Sequence, residues 1–296
     1  MSDLAPARLA TISRMFSSSV IREMARRGKS PLFTRLVSES RLSTSISRSQ
    51  RVSAVFDAAF SLLKREGCRD EYIYKTALTH NILLGKHSLN TASMLNEFRV
   101  GECKADIAIL NGTSTVYEVK SERDSLVRLE KQIAAYSRVF AQVYVIGADN
   151  HADSVARLTP SDVGILRLNS RQQITTVREA ADRPDWTSPV AIFECVRTDE
   201  ARLILQRLGV PIPVVPNTKL SAALGELFIQ LDARKTHDAM VQVLKKTRNL
   251  LPLSDLVAHL PRSLHSAALS VPLRRSDHAR LVAAVNTPLE TAMAWT

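Results

Sequence analysis

Cysteine is scarce in this chain. The three present, Cys68, Cys103 and Cys195, lie far apart and without CxxC spacing. That rules out a disulfide framework and a zinc site, and fits a reducing, cytoplasmic compartment. No apolar run approaches the roughly 20 residues that span a bilayer, so no membrane partner is expected. There is no P-loop, GxGxxG or HExxH pattern and no internal repeat. The phosphate-cradling, dinucleotide-binding and zinc-protease signatures are therefore absent. The seven histidines are scattered, and none is assigned a role. Acidic residues are few at the start: residues 1–50 hold three acids against nine Arg and Lys.

The rest of the composition is that of an ordinary globular protein, 45% hydrophobic and 23% charged, and 296 residues suit two domains. Net charge is +11, over half of it in the first 50 residues. Such a balance suits a nucleic-acid partner and also serves solubility. The same stretch holds 12 serines, a transit-peptide composition, but its punctuation favours folded helices. Gly28 followed by Ser30-Pro31 reads as helix stop, N-cap and first helical position. Helices are expected over 9–27 and 31–38, then a linker over 42–50. These basic helices would be a small DNA-binding element or a collar on the domain that follows.

The chain is organised around Met94–Gly147, which reads strand, strand, tight turn, strand, helix, strand. Lys104–Leu110 and Thr115–Lys120 flank Asn111-Gly112, a strong hairpin signal. These apolar strands carry Asp106, Glu118 and Lys120. Residues two apart on a strand share a face, so Glu118 and Lys120 emerge side by side. Buried carboxylates are costly unless paired or bound to metal. The hairpin also makes a geometric demand. A two-residue loop would set Asp106 opposite Tyr117 and turn Asp106 and Glu118 to opposite faces. One metal shared by both requires Leu110 to pair with Ser114 through a three-residue loop with a bulge near Gly112.

Asp…Glu-x-Lys across a hairpin resembles the active site of the PD-(D/E)XK nuclease superfamily. The resemblance implies Asp106 and Glu118 as ligands of Mg²⁺ or Mn²⁺, joined by the Val119 carbonyl, with Lys120 positioning the attacking water. Hard carboxylate oxygens suit that chemistry. The family's Pro before the Asp is Ala105 here. An extra acid near the metal is common in the family; Glu71, on a preceding helix, and Glu97, on the first strand, are the candidates, and Glu97 is favoured. Glu102 reads as a loop charge.

The next helix adds to the likeness. Asp124 is a candidate N-cap, and Leu126, Leu129, Ile133, Tyr136 and Phe140 recur at helical spacing. Gln132-Ile-Ala-Ala-Tyr136 resembles the Q-x-x-x-Y motif of the RecB-like branch, which implies that Gln132 and Tyr136 line the site and touch DNA. Taken alone, Tyr136 reads as core. Arg128, one turn earlier, could reach a phosphate or could be solvated.

The expected fold is α/β: a basic helical segment (1–50), a restriction-endonuclease-like αβββαβ core (51–182) and an all-helical C-terminal domain (183–296). More loosely, the whole chain resembles a bacterial family of nuclease-like proteins. The expected function is metal-dependent hydrolysis of DNA phosphodiesters, in phage defence or DNA processing. The rival is a nuclease fold that binds nucleic acid or regulates without cutting. The C-terminal helices could carry a protein partner or a homodimer contact.

Overall fold

The computed structural model describes residues 5–42, 46–47, 49–122, 124–148 and 151–296; the expected linker at 42–50 falls partly outside them. In chain order, helices α1 (Pro6–Arg14), α2 (Ser18–Arg27), α3 (Pro31–Ser40), α4 (Val52–Leu63) and α5 (Glu71–Leu78) come first. Strands β1 (Ser93–Val100), β2 (Cys103–Asn111) and β3 (Thr113–Lys120) follow, then α6 (Leu129–Tyr136) and β4 (Gln142–Gly147). Next come α7 (Ala152–Leu158), β5 (Gly164–Leu168) and β6 (Ile174–Arg178). Helices α8 (Pro189–Cys195), α9 (Thr198–Arg207), α10 (Asn217–Ile229) and α11 (Ala233–Thr247) precede α12 (Ser254–His259), α13 (His265–Ser270), α14 (Arg275–Asn286) and α15 (Leu289–Ala292). No helix among the described residues is long and apolar enough to cross a membrane.

The chain forms two compact units, and they do not follow the three expected segments. A helical unit joins residues up to Asn81 with Ser170–Gln173 and Leu251–Thr296; a sheet unit holds Ile82–Asn169 and Ile174–Leu250. The expected C-terminal domain is therefore divided. Helices α8 to α11 pack with the sheet unit, whereas α12 to α15 pack with α1 to α5. The helices preceding β1, expected to open the αβββαβ core, belong to the helical unit as well. Helix-to-helix pairing depends on contacts between residues hundreds apart, which local periodicity does not encode.

In the helical unit, local chemistry sets the helix ends. Gly28 closes α2 in the left-handed region at φ 71°. Ser30 caps α3, its Oγ accepting from the Phe33 N–H at 3.0 Å, with Pro31 at the first helical position. The expected helix over 9–27 is instead two helices, because Ser17 takes extended backbone at the N-cap position of α2, with no bond from its side chain. The two ends of the chain meet in this unit: the Val52 N–H donates to the Thr287 carbonyl at 3.0 Å, and the Leu289 N–H to the Gln50 carbonyl at 2.7 Å.

The sheet unit is built on six strands in sequential order. β1–β2, β2–β3 and β5–β6 are antiparallel; β3–β4 and β4–β5 are parallel. The parallel joins use α6 and α7 as crossovers, as parallel strands require. β3 is buried on both faces along nearly its whole length, which suits its β-branched and aromatic residues and makes Glu118 and Lys120 on it exceptional. On the face carrying Val116, side chains of Val143, Leu129, Ile133, Tyr136 and Phe140 share one core.

Candidate active site

The turn between β2 and β3 decides where the charged side chains point. Leu110 pairs with Ser114 and Asn111 with Thr113, leaving Gly112 at the tip with φ 75°. Only glycine takes that conformation without strain. The register thus meets the demand of a shared face: continued along the hairpin, it sets Asp106 opposite Glu118. The regular pairing stops at Ile107–Tyr117, and beyond it the Asp106 carboxylate accepts the Val119 N–H at 2.8 Å. In an extended strand the N–H and C=O of one residue point the same way. The Val119 carbonyl is therefore directed toward the β2 side, beside Asp106.

β1 brings the further acid. Asn96 pairs with Ile107 and Phe98 with Ala105, so Glu97 lies across from Asp106. Carboxylate oxygens of Glu97 and Asp106 approach within 4.8 Å. Glu97 holds φ 53°, a left-handed conformation that costs a non-glycine residue on the order of 1 kcal/mol or more and is concentrated at functional sites. Its carboxylate pairs with Lys104, two residues before Asp106 and on the same face. Glu71 begins α5 in the helical unit and pairs with Lys75.

Glu118 and Lys120 form a second, inner cluster. Both are buried, at 2% and 5% exposure, so their charges must be satisfied by protein. Lys120 Nζ donates to Glu118 Oε1 at 2.7 Å and to Gln132 Oε1 at 3.0 Å. Gln132 Nε2 donates to the same Glu118 oxygen. The Tyr136 hydroxyl lies 2.9 Å from Glu118 Oε2 and 3.0 Å from the Lys104 carbonyl, and its single proton serves one acceptor at a time. Burial, and then the Glu118 charge, push the Tyr136 hydroxyl far above the usual tyrosine range, so it is a firm donor. Asp106 adds to that shift, which places Tyr136 within electrostatic reach of both carboxylates.

The sequence motif therefore acts inward. Gln132 and Tyr136, expected to line the site and touch DNA, are buried and hold the carboxylate and the ammonium in place. Tyr136 is core and ligand of Glu118 at once. Arg128 differs: it is exposed at the N-cap of α6. The expected cap, Asp124, is not the helix cap. Its carboxylate accepts the Ser121 N–H and hydroxyl, both at 2.7 Å, and closes a turn directly after β3. That turn delays the helix to Leu129, and Phe140 falls beyond its end. Glu102 is exposed and pairs with Lys131, as a loop charge would.

Two buried clusters in this unit had no legible signal. Ser114 accepts the Ala141 N–H at 3.0 Å and meets His237 Nε2 at 2.8 Å, while His237 Nδ1 faces Asp238 at 3.0 Å. Because Nδ1 faces a carboxylate it carries the proton, so the Ser114 hydroxyl donates to Nε2. The Ser–His–Asp order resembles a nucleophile relay, but Ser114 is wholly buried and serves to bind α11 to β3. In the second cluster, Arg248 makes two bonds to buried Glu200, each 2.8 Å, joined by Thr247 and the Arg197 N–H at 2.9 Å.

The sequence model of the family described as Bacteriophage P4 protein cII matches residues 64–251, more than half of the chain and all of β1 to β6. The chain belongs to this family. Protein cII of Enterobacteria phage P4 itself is 34% identical over 90 residues, covering 30% of this chain and 34% of that protein. The chain thus spans about a third of the length of this curated relative. Among solved structures, a protein of unknown function from Silicibacter pomeroyi aligns with 43% of this chain and 86% of its own. At 20% identity and a TM-score of 0.28, it carries no argument about fold or activity.

Proposed function

We propose that the sheet unit is a restriction-endonuclease-like core of the PD-(D/E)XK type and that it hydrolyses DNA phosphodiester bonds with Mg²⁺ or Mn²⁺. The observation that carries this reading is the β2–β3 register, which sets Asp106 opposite Glu118 with Lys120 on the same face. The strand order around it, three antiparallel strands, a helix and a parallel strand, agrees with such a core. Fold alone does not give function, so the residues must bear the argument.

The donor set fits a hard cation. Asp106, Glu118 and the Val119 carbonyl would hold it, with Glu97 as a further oxygen donor whose carboxylate lies near that of Asp106. When bound, the cation would neutralise phosphate charge and acidify a water. Lys120 spends two of its three N–H bonds on Glu118 and Gln132, leaving one to orient that water. Gln132 and Tyr136 are positioning residues: they fix the rotamers of Glu118 and Lys120. Exposed Arg128 takes a DNA phosphate, and the basic surface steers the polyanion.

One observation favours a second reading, a nuclease fold that binds nucleic acid without cutting. Glu118 Oε1 already accepts two donors and Oε2 a third, in a site nearly closed to solvent. Incubating the protein with linear and circular DNA in Mg²⁺, Mn²⁺ or EDTA separates the readings. Metal-dependent cutting upholds the first. Salt-sensitive binding without cutting in either metal upholds the second.

A further inference from the structure

The helical unit contains a cavity of about 560 Å³, lined by residues of that unit alone. Its walls come from α4, from α5 and the π-helical turn Thr79–Leu83 that continues it, from residues 171–173, and from Arg262 and Ser263. Three polar side-chain atoms on these walls are buried and have no hydrogen-bond partner: Thr76 Oγ1, His80 Nε2 and Gln172 Nε2. Each such atom is destabilising unless something fills the place opposite it.

Two of the three, His80 and Gln172, are carried on irregular backbone. His80 sits in the π-helical turn, a feature found mostly at functional sites. Gln172 holds φ 61°, a left-handed conformation unfavourable for a residue with a side chain. A cavity with two strained or irregular walls and three unmatched polar groups is built for an occupant rather than for packing. Its volume lies in the range of small-molecule sites and far above the roughly 30 Å³ of a single water.

The charges say what kind of occupant. Lys64, Arg171 and Arg262 line the cavity, against one acid, Asp57, which already accepts from the Ser263 hydroxyl at 2.6 Å. The excess is cationic, and both arginines are exposed at the rim, where a guanidinium can grip a phosphate with two bonds. Deeper in, the unmatched groups are a Gln amide donor, an imidazole and the Thr76 hydroxyl. The imidazole is neutral, since burial and the neighbouring His265 and Arg262 push it down to about 4. Neutral polar groups of this kind recognise the edges of a sugar or a base rather than a charge. Phe60 adds an aromatic wall.

We propose that this cavity binds a small phosphorylated molecule of mononucleotide size, its phosphate at Arg171, Arg262 and Lys64 and its polar ring system at His80 and Gln172. The test is calorimetric titration of the full chain with adenosine 5′-monophosphate, adenosine and inorganic phosphate. The expected result is saturable monophosphate binding, weakened about tenfold or more when the phosphate is absent, as in adenosine, or stands alone. Arg262→Gln should weaken monophosphate binding by about tenfold. His80→Phe, which removes an unmatched polar group and fills space, should abolish binding while leaving the melting temperature unchanged or raised. Asp106→Asn should bind like wild type, which separates this cavity from the carboxylate site. Absence of saturable binding up to about 1 mM of all three probes overturns the proposal. So does binding that Arg262→Gln and His80→Phe leave unchanged.

Discussion

Lys120 Nζ lies 2.7 Å from Glu118 Oε1, two side chains of one strand face paired inside the protein with almost no exposure. Removing either partner leaves a buried charge uncompensated, which costs about 3–5 kcal/mol. Glu118→Leu and Lys120→Met should each lower stability by that order in urea unfolding. The double variant should cost less than the sum of the singles, because both charges leave together. Additive losses would mean that the two groups are solvated independently. It follows that activity lost in a Lys120 variant counts as chemistry only where the variant is shown to be folded.

Tyr136→Phe removes the hydroxyl donor that Glu118 and the Lys104 carbonyl share. The expected stability loss is about 1 kcal/mol. If Tyr136 positions Glu118 for metal binding, cleavage should fall by about tenfold at saturating DNA, and more Mg²⁺ should be needed for half-maximal rate. A loss of stability with an unchanged Mg²⁺ requirement would make Tyr136 a packing residue only.

Gly112→Ala places a methyl group on a backbone at φ 75°. Nothing crowds it, so the cost is conformational, about 1 kcal/mol. Because the same glycine sets the register, the variant should also lose activity out of proportion to its stability. Unchanged activity would show that the register is held by β1 and β4 without the turn.

Acid should weaken the fold in two stages. Burial lowers the His237 pKa below its usual 6.5, with Asp238 opposing, so the folded state resists a proton that the unfolded chain accepts. The stability this confers is whole above pH 6.5 and declines as pH falls below it. Half-buried His80 and His265 act in the same direction. The second stage belongs to Glu200. Burial raises its pKa, but the Arg248 guanidinium, the Arg197 N–H and Thr247 together hold it down at about 2, against a usual 4.5. Its contribution is present above pH 4.5 and lost as pH falls toward 2. Urea midpoints from pH 8 to pH 3 should fall first below about pH 6.5 and again below about pH 4.5. In His237→Asn the first fall should shrink, and in Arg248→Met the second should.

Much of the site could be read from sequence because strand geometry is periodic. Once Asp106 and Glu118 are required to share a face, the pairing of Leu110 with Ser114 follows, and the structure has it. Gly28, Ser30 and Pro31 marked a helix boundary through backbone preferences that act locally. The delayed start of α6 was not legible, because Asp124 has two local uses and only the turn at Ser121 decides between them. The bonds from Ser114 to His237 and from Glu200 to Arg248 join residues far apart in the chain, and neither member carries a mark of its partner. Which helices join which of the two units was not legible for the same reason. The unmatched atoms of His80 and Gln172 are defined by what is missing around them, which no pattern of residues records.

The most direct test of the nuclease reading compares wild type with Asp106→Asn on labelled linear DNA, in Mg²⁺ and in EDTA. Asp106 is only half-buried, and asparagine keeps its shape and one acceptor oxygen, so the variant should fold. The account predicts cutting by wild type in Mg²⁺, none in EDTA, and a loss of about a hundredfold or more in the variant with DNA binding retained. Cutting that survives Asp106→Asn, or a folded wild type that cuts in neither Mg²⁺ nor Mn²⁺, would contradict it.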